Sequence, residues 1–106
     1  MKICITSQGE ALESKIDLRF GRCQYFIIVD TETMDFEVIK NPIIDTTGGA
    51  GTNSAQLIAS KGAGVVLTGD VGPNASQALQ SAGIKIVTGI RGLVKDAVEN
   101  YKKEMN

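Results

Sequence analysis

The segment from residue 17 to residue 23 carries the chemically most capable side chains of this sequence. It reads Asp17-Leu18-Arg19-Phe20-Gly21-Arg22-Cys23. Arg19 and Arg22 could bind an anion through paired N–H donors, or they could pair with Asp17 or another carboxylate. A neighbouring cation favours the thiolate of Cys23, which is a soft ligand for iron or an iron–sulfur species. The alternative interpretation is that Cys23, like Cys4, is a small buried apolar residue.

The second candidate feature is a set of three glycine-rich connections, at residues 48–51, 69–72 and 89–92, each placed before a predicted helix. A helix N-terminus offers unpaired N–H groups and a partial positive charge, and glycine lets a ligand approach the backbone closely. Such a connection can bind an anion, although glycine is as often needed only for the turn itself. The first two connections should reach the same edge of the sheet and are the better candidates. The binding residues that they would supply are Gly49, Gly51, Asn53, Gly69, Asp70, Gly72 and Asn74.

Most kinds of catalytic site need residues that this sequence lacks. It contains no histidine, so no serine or threonine has the general base of a hydrolytic triad. Asp70 follows a predicted central strand, but the first strand offers Cys4 and Thr6 where a two-metal nuclease needs a carboxylate. A C-x-x-C pair, a phosphate-binding P-loop and a complete dinucleotide fingerprint are also missing. We therefore predict a binding protein that is not an enzyme.

Length and composition predict one small domain that spans residues 1–106. The chain has 106 residues, 42% of them apolar, and a net charge of −1 from 11 basic and 12 acidic residues. This balance argues against sequence-independent nucleic-acid binding, which needs a basic face. No apolar run approaches the roughly 18 residues of a membrane span, and the N-terminus lacks the pattern of a signal peptide. We therefore expect a cytoplasmic protein whose partners include neither nucleic acid nor a membrane.

Strand patterns dominate the first half of the sequence. Alternating or β-rich runs cover Lys2 to Ser7, Tyr25 to Asp30 and Phe36 to Lys40. The last two runs are joined by a short polar loop, which is typical of an antiparallel hairpin. Short apolar runs at residues 65–67 and 84–87 indicate buried parallel strands.

Helix patterns separate the later strands. Apolar residues three and four positions apart predict three helices, each beginning after one of the glycine-rich connections. Thr52 or Asn53 is the expected N-cap of the first helix, and Pro73 is the expected first residue of the second. Gly62 and Gly83 are expected to end the first and second helices in a left-handed conformation.

The resulting order, β-β-β-α-β-α-β-α, predicts an α/β fold with a mixed five-stranded sheet flanked by helices. The hairpin extends the sheet on one side of the first strand, and right-handed crossovers extend it on the other side. The first strand is then central and lies beside the strand at residues 65–67. The chain reverses its direction of winding there, and ligands of open α/β sheets favour such a switch point.

The motifs and their order resemble a known family. The segments that carry the resemblance are Asp17 to Arg22, Tyr25 to Asp30, Gly49-Ala50-Gly51 with Ala55 and Leu57, Gly64 to Gly69, Gly72 to Ala75, Gly83 to Val87 and Gly92 to Ala97. The family is the dinitrogenase iron–molybdenum cofactor biosynthesis proteins, also called the nitrogenase X/Y accessory family. The resemblance covers nearly the whole chain, and the Arg-Phe-Gly-Arg segment is its fairly specific part.

This resemblance implies a ribonuclease-H-like fold and a carrier or scaffold for an iron–molybdenum or iron–sulfur type cluster or a related anion. Family members that bind the cofactor commonly use a histidine, so cluster binding here would rest on Cys23, with Arg19, Arg22 and backbone amides. A protein partner in cluster assembly is also implied. The alternative prediction is a metal-free protein-interaction or regulatory module of the same fold, with residues 8–24 and 41–47 as its surface.

Overall fold

Eight regular elements are present in the part of the chain that the computed structural model describes, residues 1–42 and 50–105. They are β1 (Lys2–Ser7), β2 (Tyr25–Asp30), β3 (Phe36–Lys40), α1 (Ala50–Ser60), β4 (Ala63–Leu67), α2 (Pro73–Ser81), β5 (Lys85–Val87) and α3 (Val94–Met105). The predicted element order is confirmed. The first three strands also have the bounds that their alternating and β-rich runs predict.

The five strands form one mixed sheet in the order β3-β2-β1-β4-β5. β1 pairs antiparallel with β2, with Ile5 opposite Ile27, and parallel with β4, with Ile5 opposite Leu67. β1 is therefore central and borders β4 where the winding reverses, which confirms the predicted switch point. The ribonuclease-H-like assignment stays a prediction from the resemblance.

Alternation along the strands divides the core between the two faces of the sheet. One face carries Cys4 and packs against α1 and α2 through residues such as Ile58 and Leu79. The other face carries Ile5 and packs against α3 through residues such as Val98. Of the described helices, two thus cover one face and one covers the other. In the described residues, no helix is both long enough and apolar enough to cross a membrane.

The ends of α1 and α2 follow the sequence signals at three positions. Gly62 and Gly83 have φ angles of +82° and +77°, which is the left-handed conformation expected of a residue that stops a helix. Pro73 is the first residue of α2, where its missing N–H removes no helical hydrogen bond. These three predictions are confirmed.

The start of α1 differs from the prediction. The sequence indicated an N-cap at Thr52 or Asn53, but the helix begins at Ala50, which places Gly51 and Asn53 inside its first turn. Alanine has the highest helix propensity of all residues, which favours its inclusion in the helix over a place in the preceding loop. Gly49 lies outside the described residues, so its predicted role in binding stays a prediction.

Candidate functional site

Arg19 lies at the carboxyl edge of the central strands, beside the loop that follows β4. The N–H of Asp17 donates to the carbonyl oxygen of Thr6 at 2.9 Å, so this segment runs along the end of β1. The N–H of Phe20 donates to the carbonyl oxygen of Asp70 at 3.1 Å, and Arg19 and Asp70 form an isolated parallel bridge. The structure therefore brings the arginine-containing segment and the second glycine-rich connection together at the switch point.

The two segments meet most closely at Gly69. A Cβ atom at this position would lie 2.7 Å from both the Cα atom and the carbonyl oxygen of Leu18, closer than real contacts allow. The chain's own backbone therefore requires glycine here, whatever ligand binds nearby. The Leu18 side chain is 43% exposed at the rim of the site.

Two buried threonines fix the strand ends next to this contact. The hydroxyl of Thr6 donates to the carbonyl oxygen of Asp17 at 2.6 Å. The hydroxyl oxygens of Thr6 and Thr68 are 2.8 Å apart, and Thr68 is the donor because the single Thr6 proton is already used. The sequence signal for this link is a threonine near the end of each of two adjacent buried strands.

The carboxylate of Asp17 organises the loop that carries Arg19. The side chain is buried, and its two oxygens accept the N–H groups of Arg19 at 3.2 Å and of Gln24 at 3.3 Å. The Nε atom of Arg19 lies 4.0 Å from the same carboxylate, while 70% of the arginine side chain is exposed. An ion pair this exposed contributes little stability, so the guanidinium stays available to a ligand. Together with Gln8 and Leu18, these residues line an open depression of about 640 Å³.

Asn41 holds the other end of the same loop, whereas the sequence had indicated it only as part of the interaction surface predicted for residues 41–47. Its side-chain amide donates to the carbonyl oxygens of Gly21 at 3.1 Å and of Cys23 at 2.9 Å. Its backbone N–H donates to the carbonyl oxygen of Gln24 at 2.9 Å, and the residue is only 2% exposed. An asparagine directly after a strand is a weak signal, because asparagine is common in turns for local reasons.

Cys23 lies in the hydrophobic core, packed with Phe20 and Phe26 rather than exposed beside the arginines. Burial, followed by the negative charge of Asp17, raises the pKa of its thiol to about 12. The positive charge of Arg19 acts in the opposite direction but is the smaller effect. Of the two interpretations that the sequence left open, the buried apolar residue is therefore confirmed for this conformation and the thiolate is not. The role of Cys23 as a metal ligand stays a prediction.

Neither cysteine should react with a thiol reagent in the native protein at about pH 8, because the thiolate is the reactive species and both side chains are inaccessible. Burial also raises the pKa of Cys4 well above its ordinary value. We expect the two thiols to react only after unfolding in denaturant, and a Cys23→Ala variant to release one thiol instead of two. Rapid modification of the native protein would show that the loop opens readily.

The raised pKa of Cys23 also makes stability depend on pH at the alkaline end. The thiol ionises near its ordinary pKa of 9.0 in the unfolded chain but only near 12 in the native protein. As the pH rises, the unfolded state therefore loses the Cys23 proton first. The contribution of the protonated thiol to stability is complete below pH 9 and is lost as the pH rises toward 12. The free energy of unfolding should fall over this range, and less so in Cys23→Ala.

The N-terminus of α2 is an open helix end at the same edge of the sheet. Gly72 is the N-cap residue, the first turn of α2 has no acidic residue, and among residues 1–42 and 50–105 no side chain caps the helix. Because Pro73 has no N–H, the amides of Asn74 and Ala75 are the first in the helix that could serve a ligand, and Asn74 is exposed. The partial positive charge of this helix end attracts anions, and the carboxylate of Asp70, two residues before the N-cap, opposes that attraction.

The N-terminus of α3 is closed by the chain itself. The N–H groups of Val94 and Lys95 donate to the carbonyl oxygens of Ser14 and Leu12 at 2.9 Å and 2.8 Å. The third glycine-rich connection is therefore a poorer anion site than the second, because its helix amides already have acceptors.

Most of the predicted binding residues lie at one edge of the structure. α1 and α2 pack side by side on one face, and both run antiparallel to the strands that follow them, so both begin at the carboxyl edge of β1 and β4. The residues at this edge are Arg19, Gly51, Asn53, Gly69, Asp70, Gly72 and Asn74. Arg22 is exposed in the same loop, next to the buried Cys23. Whether they bind a ligand stays a prediction.

The donors at this edge suit an anion better than a bare metal ion. Among the described residues, no group of three or more His, Cys, Asp or Glu side chains could hold a metal ion. The guanidinium of Arg19 and the amides at the start of α2 are hydrogen-bond donors for negatively charged atoms. The carboxylate of Asp70 accepts the N–H of Val71 at 2.9 Å and would repel an anion, so any favourable contribution of this residue comes from its backbone.

Nearly the whole chain matches one protein family. The family model described as dinitrogenase iron-molybdenum cofactor matches residues 1–104. The chain belongs to this family. The resemblance that the order of the sequence motifs indicated is thereby confirmed.

Two solved structures resemble this member of the dinitrogenase iron-molybdenum cofactor family. The apo form of the orange protein from Desulfovibrio gigas is 45% identical, with a TM-score of 0.94 over 97% of this chain and 88% of that chain. A putative NifB protein from Thermotoga, assigned to the DUF35 family, is 36% identical, with a TM-score of 0.84 over 96% of this chain and 87% of that chain.

A curated relative matches over a shorter stretch. An uncharacterized protein from Methanocaldococcus jannaschii is 35% identical over 57 residues, which are 51% of this chain and 48% of that protein. The chain thus matches about half the length of this curated relative.

Proposed function

We propose that this chain is a small binding protein that carries an anionic metal–sulfur cluster of the iron–molybdenum or iron–sulfur type, and that it is not an enzyme. The observation that carries the proposal is the meeting of Arg19 with the loop that leads to the open N-terminus of α2. Sulfur atoms of such clusters accept hydrogen bonds from protein donors. The cluster is the cargo of the protein. A cytoplasmic location and a partner protein in cluster assembly belong to the same proposal.

The cluster would be held through its outer atoms. The guanidinium of Arg19 supplies a charged donor, and the amides of Asn74 and Ala75 supply neutral donors at a positive helix end. Cys23 is buried and protonated in this conformation, so thiolate ligation requires its loop to open. The Arg19 guanidinium and the amides at the start of α2 would therefore make the first contact with the cluster, before any metal–thiolate bond forms.

The comparisons support a bound group without naming it for this chain. The family is described by an iron–molybdenum cofactor, and the orange protein structure is of an apo form, the term for a protein without its bound group. The chain also lacks histidine, the commonest general base of enzymes, which supports binding over catalysis.

Anaerobic reconstitution tests the proposal. The protein is incubated with iron and sulfide, or with isolated iron–molybdenum cofactor, and bound metal is measured by elemental analysis and absorption spectra. We expect stoichiometric uptake by the native chain and affinity about tenfold weaker in Arg19→Ala, because one charge-assisted hydrogen bond is lost. Asp70→Asn should bind more tightly, since it removes a repelling charge and keeps the acceptor for the N–H of Val71.

A matched control separates the site from net charge. Lys103→Ala removes one positive charge from the exposed surface of α3, on the other face of the sheet, and should leave uptake unchanged. If uptake falls in Cys23→Ala but not in Arg19→Ala, the cluster is bound by the Cys23 thiolate and not by the outer donors. No uptake of either cluster type by the folded protein would overturn the carrier proposal.

The metal-free interaction module is the second candidate, and the exposure of Leu18 favours it. An apolar side chain that is 43% exposed beside Arg19 could contact a protein partner. A purification from host extract in chelator that recovers a stoichiometric partner, lost in Leu18→Ser, would support this candidate. Recovery of the partner only with cluster-loaded protein would support the carrier instead.

A further inference from the structure

A second cavity lies on the face of the sheet where α3 is the single helix among the described residues. Its volume is about 260 Å³, and it is bounded by the end of β4, by β5, by the third glycine-rich connection and by α3. Two helices cover the opposite face, but here a single helix leaves the edge at β5 only partly covered. None of the residues around this cavity contributes to the proposed cluster site.

Apolar residues form the floor of the cavity, and polar groups make up about half of its accessible lining. Leu67 and Ala97 are buried, and Ile90 is half-buried. The Tyr101 ring forms a buried wall, and the ammonium group of Lys85 lies 5.6 Å from the ring centroid, in a cation–π contact that helps to fix the ring. A ligand would therefore meet a preformed surface with an apolar floor and a polar rim.

The rim of the cavity carries one charge of each sign. Arg91 comes from the third glycine-rich connection, and Asn100 and Glu104 lie one turn apart on α3. All three are exposed, and within the described residues none of them has a hydrogen-bonding or ion-pairing side-chain partner. Arg91 and Glu104 thus face one cavity without pairing with each other.

We propose that this cavity binds a free α-amino acid with an apolar side chain. The carboxylate of the amino acid would pair with the guanidinium of Arg91. Its ammonium group would pair with the carboxylate of Glu104 and with the side-chain amide oxygen of Asn100. The side chain would lie on Leu67 and Ala97, beside the ring of Tyr101. A cavity of about 260 Å³ lies just below the roughly 300–1,000 Å³ of pockets for drug-sized molecules, so it suits a small metabolite.

Titration of ¹⁵N-labelled protein with L-leucine and L-phenylalanine, followed by NMR, tests this proposal. We expect saturable shifts of the amide signals of Ile90, Ala97 and Tyr101. N-acetyl-L-leucine lacks the ammonium group, L-leucinamide lacks the carboxylate and glycine lacks the apolar side chain. Each of these three probes should bind about tenfold more weakly than L-leucine, because each loses one of the three contacts.

Paired variants show whether the rim charges act as proposed. Arg91→Ala and Glu104→Gln should each weaken L-leucine binding about tenfold. Lys95→Ala and Glu99→Gln make the same charge changes at exposed positions that do not line the cavity, and should leave binding unchanged. The proposal is overturned if neither amino acid gives saturable shifts, or if N-acetyl-L-leucine binds as tightly as L-leucine. These measurements need no cluster, so they stand or fall independently of the carrier proposal.

Discussion

Gly69→Ala is expected to lower the free energy of unfolding by about 3 kcal/mol, at the upper end of the effects of overpacking. The new methyl group would lie 2.7 Å from the Cα atom and the carbonyl oxygen of Leu18, and 2.8 Å from its Cβ atom. Two of these are backbone atoms, so a rotation of the Leu18 side chain cannot relieve the collision. Chemical denaturation measures the loss of stability directly.

The same substitution should also weaken cluster uptake. The collision pushes apart the two segments that the hydrogen bond from Phe20 to Asp70 joins. Arg19 lies between Leu18 and Phe20 in the chain and forms the bridge to Asp70, so it moves with them. Uptake should therefore fall at temperatures where the variant is still folded. This loss separates damage to the site from global unfolding.

Gly64→Ala is the matched control, since it makes the same chemical change in β4. The nearest atom to its new methyl group is the carbonyl oxygen of Lys2 at 4.0 Å, which leaves room. Alanine is favoured over glycine inside a strand by roughly 0.5–1 kcal/mol, so this variant should be as stable as the native chain or slightly more stable. Equal stability of the two variants would contradict the proposed collision.

The sequence predicts the sheet and most element bounds because their signals are local. The alternation from Lys2 to Ser7, the polar loop of the hairpin and the stops at Gly62 and Gly83 each depend on a few neighbouring residues. The element order, together with the rule that crossovers between parallel strands are right-handed, then allows only a few strand orders in the sheet. The switch point could therefore be located without the structure. The start of α1 was missed because helix ends depend on weak differences in propensity.

The details of the site could not be predicted because they depend on contacts between distant parts of the chain. The sequence shows that Cys23 follows two arginines, but it does not show that the thiol points into the core, so a thiolate and a buried thiol both stayed open until the structure showed burial. In the same way, the sequence left open whether the glycine at position 69 serves a ligand or the chain itself, and only the structure shows that an added Cβ would collide with Leu18. Local charge patterns predict which residues are present at a site more reliably than where their side chains point.

Asn41→Ala is expected to cost about 3 kcal/mol of stability, because the carbonyl oxygens of Gly21 and Cys23 lose buried donors at once. Asn41→Asp should be at least as damaging, since it turns a donor into a negatively charged acceptor that faces the same two oxygens. Asn100→Ala removes an asparagine side chain from an exposed position in α3 and should change stability by less than about 0.5 kcal/mol. Denaturation of the three variants measures these differences.

The reactivity of Cys23 provides a second readout for Asn41→Ala that is local to the loop. The Asn41 amide ties the carbonyl oxygens of Gly21 and Cys23 to the end of β3, while Asp17 holds the other end of the loop through Arg19 and Gln24. With one of these two attachments removed, the loop should open more often than the whole protein unfolds, and its thiol should be modified faster. Cys4, in the central strand, should keep its protection under the same conditions. If both thiols are instead modified at one common rate, the loop opens only when the whole protein unfolds, and Asn41 stabilises the fold as a whole rather than this loop.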